Sequence, residues 1–171
     1  KKGKKYSTKL ELPLWSPVAL KKGTVRANEN VERVHALCLD FDSGDDLEDI
    51  DSVWGDYLMV CHTTWGNTPD KARARCVLPL SRSVTRKEFG VLIRWAMKHS
   101  EKGGLRPDPA CKDAARAWYL PAPAPEFEAN YRWIAYYDGE EDRLDVDELL
   151  KTQTAELSKR TADDIEFTTM D

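Results

Sequence analysis

No stretch of this sequence approaches the roughly 20 consecutive apolar residues that a membrane-spanning helix needs, and the chain opens on lysines with no apolar leader behind them. A cytoplasmic setting, bacterial or in a phage-infected host, is the expectation. Cysteine is sparse: Cys38, Cys61, Cys76 and Cys111 form no CxxC pair and have no histidine at zinc spacing. That excludes a zinc ribbon or finger. Three of the four fall in apolar stretches, where a free thiol behaves as a small hydrophobe in a reducing compartment. Glycine numbers only nine, and no GxxxxGK[ST] loop occurs, so a motor of the P-loop kind is excluded from this segment. No internal repeat appears either.

What is present is a chain of 171 residues, 41% hydrophobic and 33% charged, long enough for one domain with a proper core. Its net charge of -4 conceals a segregation. Residues 1–37 carry +6, residues 38–56 carry -8, residues 57–120 carry +7 and residues 121–171 carry -9. A basic middle beside an acidic knot suits a site that takes both a cation and a polyanion.

Residues 1–30 lack sustained periodicity and read as an N-terminal extension. "VERVHALCLDFD" reads as a strand apolar on both faces, which suits a central strand covered on two sides. "DYLMVCHTT" is a second strand and "WGNTPDK" a connecting loop. "ARARCVLPL" is a third strand, with Arg73, Arg75 and Val77 on one side and Ala74, Cys76 and Leu78 on the other. The second and third strands are expected to form a long-loop hairpin. In "SVTRKEFGVLIRWAMKHS", Thr85 with Glu88 is a capping-box signal, and Phe89, Leu92, Ile93, Ala96 and Met97 give a helical stripe. "ARAWYLPAP" and "YRWIAYYDG" read as short strands, and 145–160 as an amphipathic helix through Leu149, Leu150 and Leu157. The expected domains are an extension over 1–30, a core over 31–140, and a C-terminal helix with an acidic tail over 141–171. Strands, then helix, then strands predict an α+β fold with a mixed or antiparallel sheet.

Asp40 and Asp42 stand two apart at the exit of the first strand, so both point to one face about 7 Å apart. A hard divalent cation relieves the repulsion between two such carboxylates, which makes the pair a candidate Mg²⁺ or Mn²⁺ site. The plainer reading is a polar strand exit, with Asp45 or Asp46 capping a following helix. "LDFDSGD" also resembles the haloacid-dehalogenase signature, but Ser43 stands where that family has Thr or Val, and its α/β repeats are missing. Arg73 and Arg75 place two guanidiniums on one strand face, a fork array suited to phosphate oxygens or else a solvated face. Lys112, Asp113 and Arg116 form a third cluster: Asp113 could complete a three-carboxylate site and Arg116 could reach a phosphate, or the two could simply pair. Trp65, Trp118 and Tyr119 are candidates for stacking on bases, and His62 reads as a strand histidine. These are parts for phosphoryl transfer from a nucleotide.

The three blocks "LCLDFD", "HTTWGNTPDKARARCVLPLSRSVT" and "PDPACKDAARAWYLP", taken in order over about residues 31–121, resemble the primase-polymerase domains of the archaeo-eukaryotic primase superfamily found in phage and plasmid replication proteins. The resemblance implies a primase-like catalytic core with helices packed on an RRM-like sheet that bears the site. It implies a template-dependent nucleotidyltransferase, making or extending primers on single-stranded DNA from NTPs or dNTPs with Mg²⁺ or Mn²⁺. By the same resemblance Asp40 and Asp42 match the metal-binding pair, and Asp113 is the expected third carboxylate. Arg73, Arg75, Arg116 and Lys112, with the threonine pair Thr63 and Thr64, are expected around the nucleotide phosphates. Arg75 stands on the strand where many members carry the histidine of a Ser-x-His motif. A helicase partner, where one exists, lies outside these residues. The competing readings are a nucleic-acid-binding initiator domain without synthesis and a metal-dependent nuclease.

Overall fold

A computed structural model of the chain describes residues 6–136 and 143–155. Its centre is a five-stranded sheet in which every neighbouring pair is antiparallel, in the order β2-β3-β5-β4-β7. The strands are β2 (Val18–Leu20), β3 (Val31–Phe41), β4 (Met59–Thr63), β5 (Ala74–Val84) and β7 (Trp133–Tyr136). A small two-stranded ladder, β1 (Leu14–Trp15) with β6 (Trp118–Tyr119), stands beside it. Two helices, α1 (Leu47–Trp54) and α2 (Arg86–Lys102), pack against β4 and β3. The architecture is α+β, as the order of elements predicts.

Register sorts the two sheet faces. Residues directly opposite one another on neighbouring strands point the same way. Leu39, Cys76, Cys61 and Ile134 lie opposite one another in turn and face the helices. There they meet Ile50 and Trp54 of α1 and the α2 stripe Phe89, Leu92, Ile93 and Ala96, all in one buried core. Leu37, Leu39 and Phe41 are each fully buried, a contribution of about 1.5–3 kcal/mol apiece. The other face carries Asp40, Arg75, His62 and Trp133 in one row.

The acidic knot after β3 resolves into local roles. Gly44, at φ +110°, makes the turn out of the strand. Asp46 caps α1, accepting from the Asp49 amide, while the Asp49 carboxylate accepts from the Asp46 amide in return. Buried Asp45 accepts from the Arg106 amide at 3.2 Å. Glu48 pairs with Arg132 and Asp51 accepts from the Tyr136 hydroxyl. The helix-capping reading therefore accounts for much of this run, leaving Asp40 and Asp42 apart from it.

Toward both ends of the described residues the structure adds elements to the sequence expectation. The segment read as an irregular extension supplies β1 and β2. These strands are two and three residues long, too short for periodicity to show, and they form by pairing with β6 and β3. At the other end Leu144 and Val146 are fully buried in the core, and the Leu144 carbonyl accepts from the Ser81 amide at 3.0 Å. The helix expected over 145–160 is helical over 146–155; its remainder and the acidic tail lie outside the described residues.

Candidate metal and phosphate site

The open sheet face carries the candidate chemistry at the end where β3 leaves the sheet. Carboxylate oxygens of Asp40, Asp42 and Asp108 come within 4.8 Å of one another. Oxygens around a six-coordinate Mg²⁺ or Mn²⁺ lie about 3 to 4 Å apart, a spacing close to that of these three carboxylates. An all-oxygen, all-carboxylate donor set suits a hard divalent cation. Asp40 and Asp42 are brought together as the DxD spacing predicts.

The third member differs from the expected one. Asp108 takes the place foreseen for Asp113, because the Asp108 amide donates to the Asp40 carbonyl oxygen at 2.7 Å and so roots its side chain beside the pair. A 3₁₀ turn over Pro109–Lys112 then carries the chain away. The Asp113 carboxylate accepts from the Ala115 amide at 3.0 Å and lines a separate groove with Arg26 and Lys112. Lys112 accordingly does not line the carboxylate pocket.

Three guanidiniums answer the three carboxylates. Arg75 lies opposite Asp40 on the neighbouring strand and grips it from Nε at 2.7 Å and Nη2 at 3.4 Å. Its Nη1 donates to the Tyr119 carbonyl at 2.9 Å. Arg116 donates to Asp108 at 3.0 Å and to Asp40 at 3.5 Å. Arg73 reaches Asp42 at 3.4 Å. The repulsion among the acids is thus relieved by arginine. Burial raises the Asp40 carboxyl above its ordinary range, opposed by Arg75 and Arg116 and reinforced by Asp42.

Arg75 and Asp40 are both buried, whereas Arg73 and Arg116 keep part of their surface in water. The guanidiniums of Arg75 and Arg116 sit 4.6 and 4.7 Å from the ring centroid of Trp118. That ring is buried and serves as the wall that orients both arginines. It is not a surface for bases. Trp65 and Tyr119 line the pocket, with Lys9 held 5.1 Å over the Tyr119 ring. Thr64 also lines it, but Thr63 points to the helix side, where its hydroxyl accepts from the Arg132 amide at 3.1 Å.

His62 lines the same pocket and is 3% exposed. Its Nδ1 lies 2.9 Å from the Thr63 carbonyl, which can only accept, so Nδ1 carries the proton and Nε2 presents a lone pair. Nε2 has no hydrogen-bond partner among the described residues. Burial pushes the ring down to about 4 and keeps it neutral. Burial also drives the nearby thiols up, Cys111 to about 12 and Cys38 further. Burial thus favours the protonated thiol at both positions. The Cys111 sulfur accepts the Asp40 amide at 3.2 Å.

The pocket holds about 150 Å³, room for a phosphate and ions but well below the roughly 300 Å³ and more of a site enclosing a whole ligand. Asp108 and Lys9 escaped the sequence reading: "RPDPA" shows only a turn cap, and Lys9 lies 31 residues before Asp40 in a segment without pattern.

Among solved structures, the AEP domain of the cyanophage S-2L primase-polymerase has a similar fold, with a TM-score of 0.53 at 12% identity. The match covers 74% of this chain and 63% of that chain, so this chain spans less than two thirds of that domain's length. No curated protein matches. Compared with known families, residues 17–164 match the VapE N-terminal domain. That span takes in every strand of the main sheet, α1, α2, the helix over 146–155 and all three clustered carboxylates, and the chain belongs to the VapE N-terminal domain family.

Proposed function

We propose that this domain is a template-dependent nucleotidyltransferase, a primase-polymerase that makes or extends primers on single-stranded DNA from NTPs or dNTPs. Its setting is replication of a phage, plasmid or other mobile element. The observation that carries the reading is the placement of Asp40, Asp42 and Asp108 against Arg73, Arg75 and Arg116 on the open face of one sheet.

Asp40, Asp42 and Asp108 would hold Mg²⁺ or Mn²⁺, which when bound supplies charge neutralisation for the triphosphate and a more acidic attacking hydroxyl. Arg73 and Arg116, partly exposed, exchange their carboxylates for phosphate oxygens and stabilise the departing pyrophosphate. Arg75 has all three nitrogens engaged within the protein. It acts as a positioning residue that fixes Asp40. Thr64, which lines the pocket with Arg73, would meet the nucleotide.

The test is incorporation of labelled nucleotide on a single-stranded template with Mg²⁺ or Mn²⁺. Asp40→Ala and Asp42→Ala should each abolish it; synthesis that survives either change overturns the proposed site. A second reading, a nucleic-acid-binding initiator domain without synthesis, is favoured by one observation: every clustered carboxylate already has a guanidinium partner. Strand binding with no incorporation under any metal would select it. Degradation of the strand with Mn²⁺ and no nucleotide would select a nuclease.

A further inference from the structure

The row that carries the Asp40–Arg75 pair runs on past the pocket. Arg75 lies opposite His62 on β4, and His62 opposite Trp133 on β7, so the four side chains share one sheet face across four strands. With strands about 4.8 Å apart, Trp133 stands roughly 14 Å from Asp40. A second row beside it runs from Val77 through Val60 to Ala135.

The two halves of this face are finished differently. Over β3 the turn at Pro109–Lys112 packs down and buries Cys38 and Cys111. Over β4 and β7, among the described residues, the face is exposed around Val60 and Trp133, while His62, in the row between Arg75 and Trp133, is buried. Trp133 is 57% exposed and Val60 37%, with Val77 and Ala135 half-buried between them. Single exposed apolar residues are ordinary, but a contiguous flat patch containing an indole marks a contact surface. Across the buried His62 ring this patch adjoins a pocket lined by four bases, Lys9, Arg73, Arg75 and Arg116, against two acids, Asp40 and Asp42. A flat aromatic ledge beside a cationic trough complements a strand whose bases stack while its phosphates lie along the charge.

We infer that the β4–β7 half of the sheet is a seat for single-stranded nucleic acid, with Trp133 stacking on an unpaired base. The inference rests on the proposed polymerising role only for naming that strand as the template. The seating itself follows from the open patch, the indole and the adjoining cations.

The experiment is binding of a fluorescent oligo-dT of about 12 nucleotides, a length within the site sizes of sheet-borne strand binders, to the whole chain without metal or nucleotide over a range of salt. Trp133→Ala should weaken binding about tenfold, and Trp133→Phe, which keeps a ring, should restore most of it. The slope of log affinity against log salt should be the same for Trp133→Ala as for the natural chain, because a stacking side chain releases no counterion. Arg73→Ala should flatten that slope by about one. Unchanged affinity in Trp133→Ala overturns the inference. So does a Trp133→Ala protein whose only change is loss of self-association on gel filtration, which would give the patch to a second copy of this chain. Strand binding through Trp133 without nucleotide incorporation keeps this inference and ends the polymerase reading; incorporation with Trp133→Ala binding unchanged does the reverse.

Discussion

The amide of Asp108 donates to the carbonyl oxygen of Asp40 across 2.7 Å, and that bond decides which aspartate joins the strand pair. It fixes the chain's return from α2 against the end of β3. The Asp108 carboxylate is thereby set within reach of Asp40 and Asp42, while Asp113, beyond the 3₁₀ turn, faces another groove. A tertiary hydrogen bond, and no local pattern, assembles the cluster.

Exchanging the two aspartates should therefore give opposite results. Asp108→Asn is expected to weaken Mn²⁺ binding, followed by the ion's own paramagnetic signal, by tenfold or more, since it removes one of three charged oxygen ligands. Asp113→Asn should leave that binding within about twofold, and its amide oxygen still accepts from the Ala115 amide. Equal losses in both variants would show that the cluster is not the ion's site.

Arg75 and Asp40 are both buried and joined at two points. Arg75→Ala leaves Asp40 with only the 3.5 Å contact from Arg116. A buried charge stripped of its partner typically costs about 3–5 kcal/mol. Urea unfolding should show a loss of that order, and Asp40→Asn combined with Arg75→Ala should be less damaging than the two single losses added together. Strict additivity would mean the pair is not coupled.

The elements legible in the sequence are those whose stability is written locally. The run into Asp40 reads as a covered strand, the Arg73–Arg75 alternation as a strand with two faces, and Thr85 with Glu88 as a helix start, and each is found so. The aspartates and arginines could be assigned a face before any coordinates, because strand period fixes it. What could not be read depends on partners far along the chain. β1 and β2 exist only through β6 and β3, and Asp108 is placed by a residue 68 positions earlier. The residues Thr63 and Thr64 look alike as a pair, yet one step along a strand sends them to opposite faces. Trp133 reads as one aromatic among several, and only the register on β4 puts it in line with Asp40.

The start of α2 offers a stability change remote from the pocket. The Thr85 hydroxyl accepts the Glu88 amide at 3.3 Å, and the Glu88 carboxylate accepts the Thr85 amide at 2.7 Å and a bond from Arg82 at 2.9 Å. Thr85→Ala should cost about 1 kcal/mol, a fall in Tm of roughly 2–4 °C for a domain of this size. The helix lies on the sheet face away from the carboxylates, so nucleotide incorporation below the melting range should be unaltered. A loss of incorporation without a loss of stability would contradict that placement.

His62 makes the fold sensitive to acid. Its ring is held neutral down to about 4, chiefly by burial and also by the charge of Arg75, against an unfolded value of 6.5. Because the folded value is the lower one, the unfolded chain binds a proton between pH 6.5 and 4 that the folded chain refuses. Stability from this group is therefore whole above about pH 6.5 and declines as pH falls toward 4, by roughly 3 kcal/mol at most. Replacing the ring with a side chain that does not titrate, His62→Gln, should remove that part of the acid limb. Urea midpoints at pH 7.0 and 4.5 should then differ less in the variant than in the natural chain, whatever the variant's stability at neutral pH. If the two proteins lose stability in parallel over that interval, the ring is charging freely in the folded state, and the burial that lowers its affinity for a proton is not the one described.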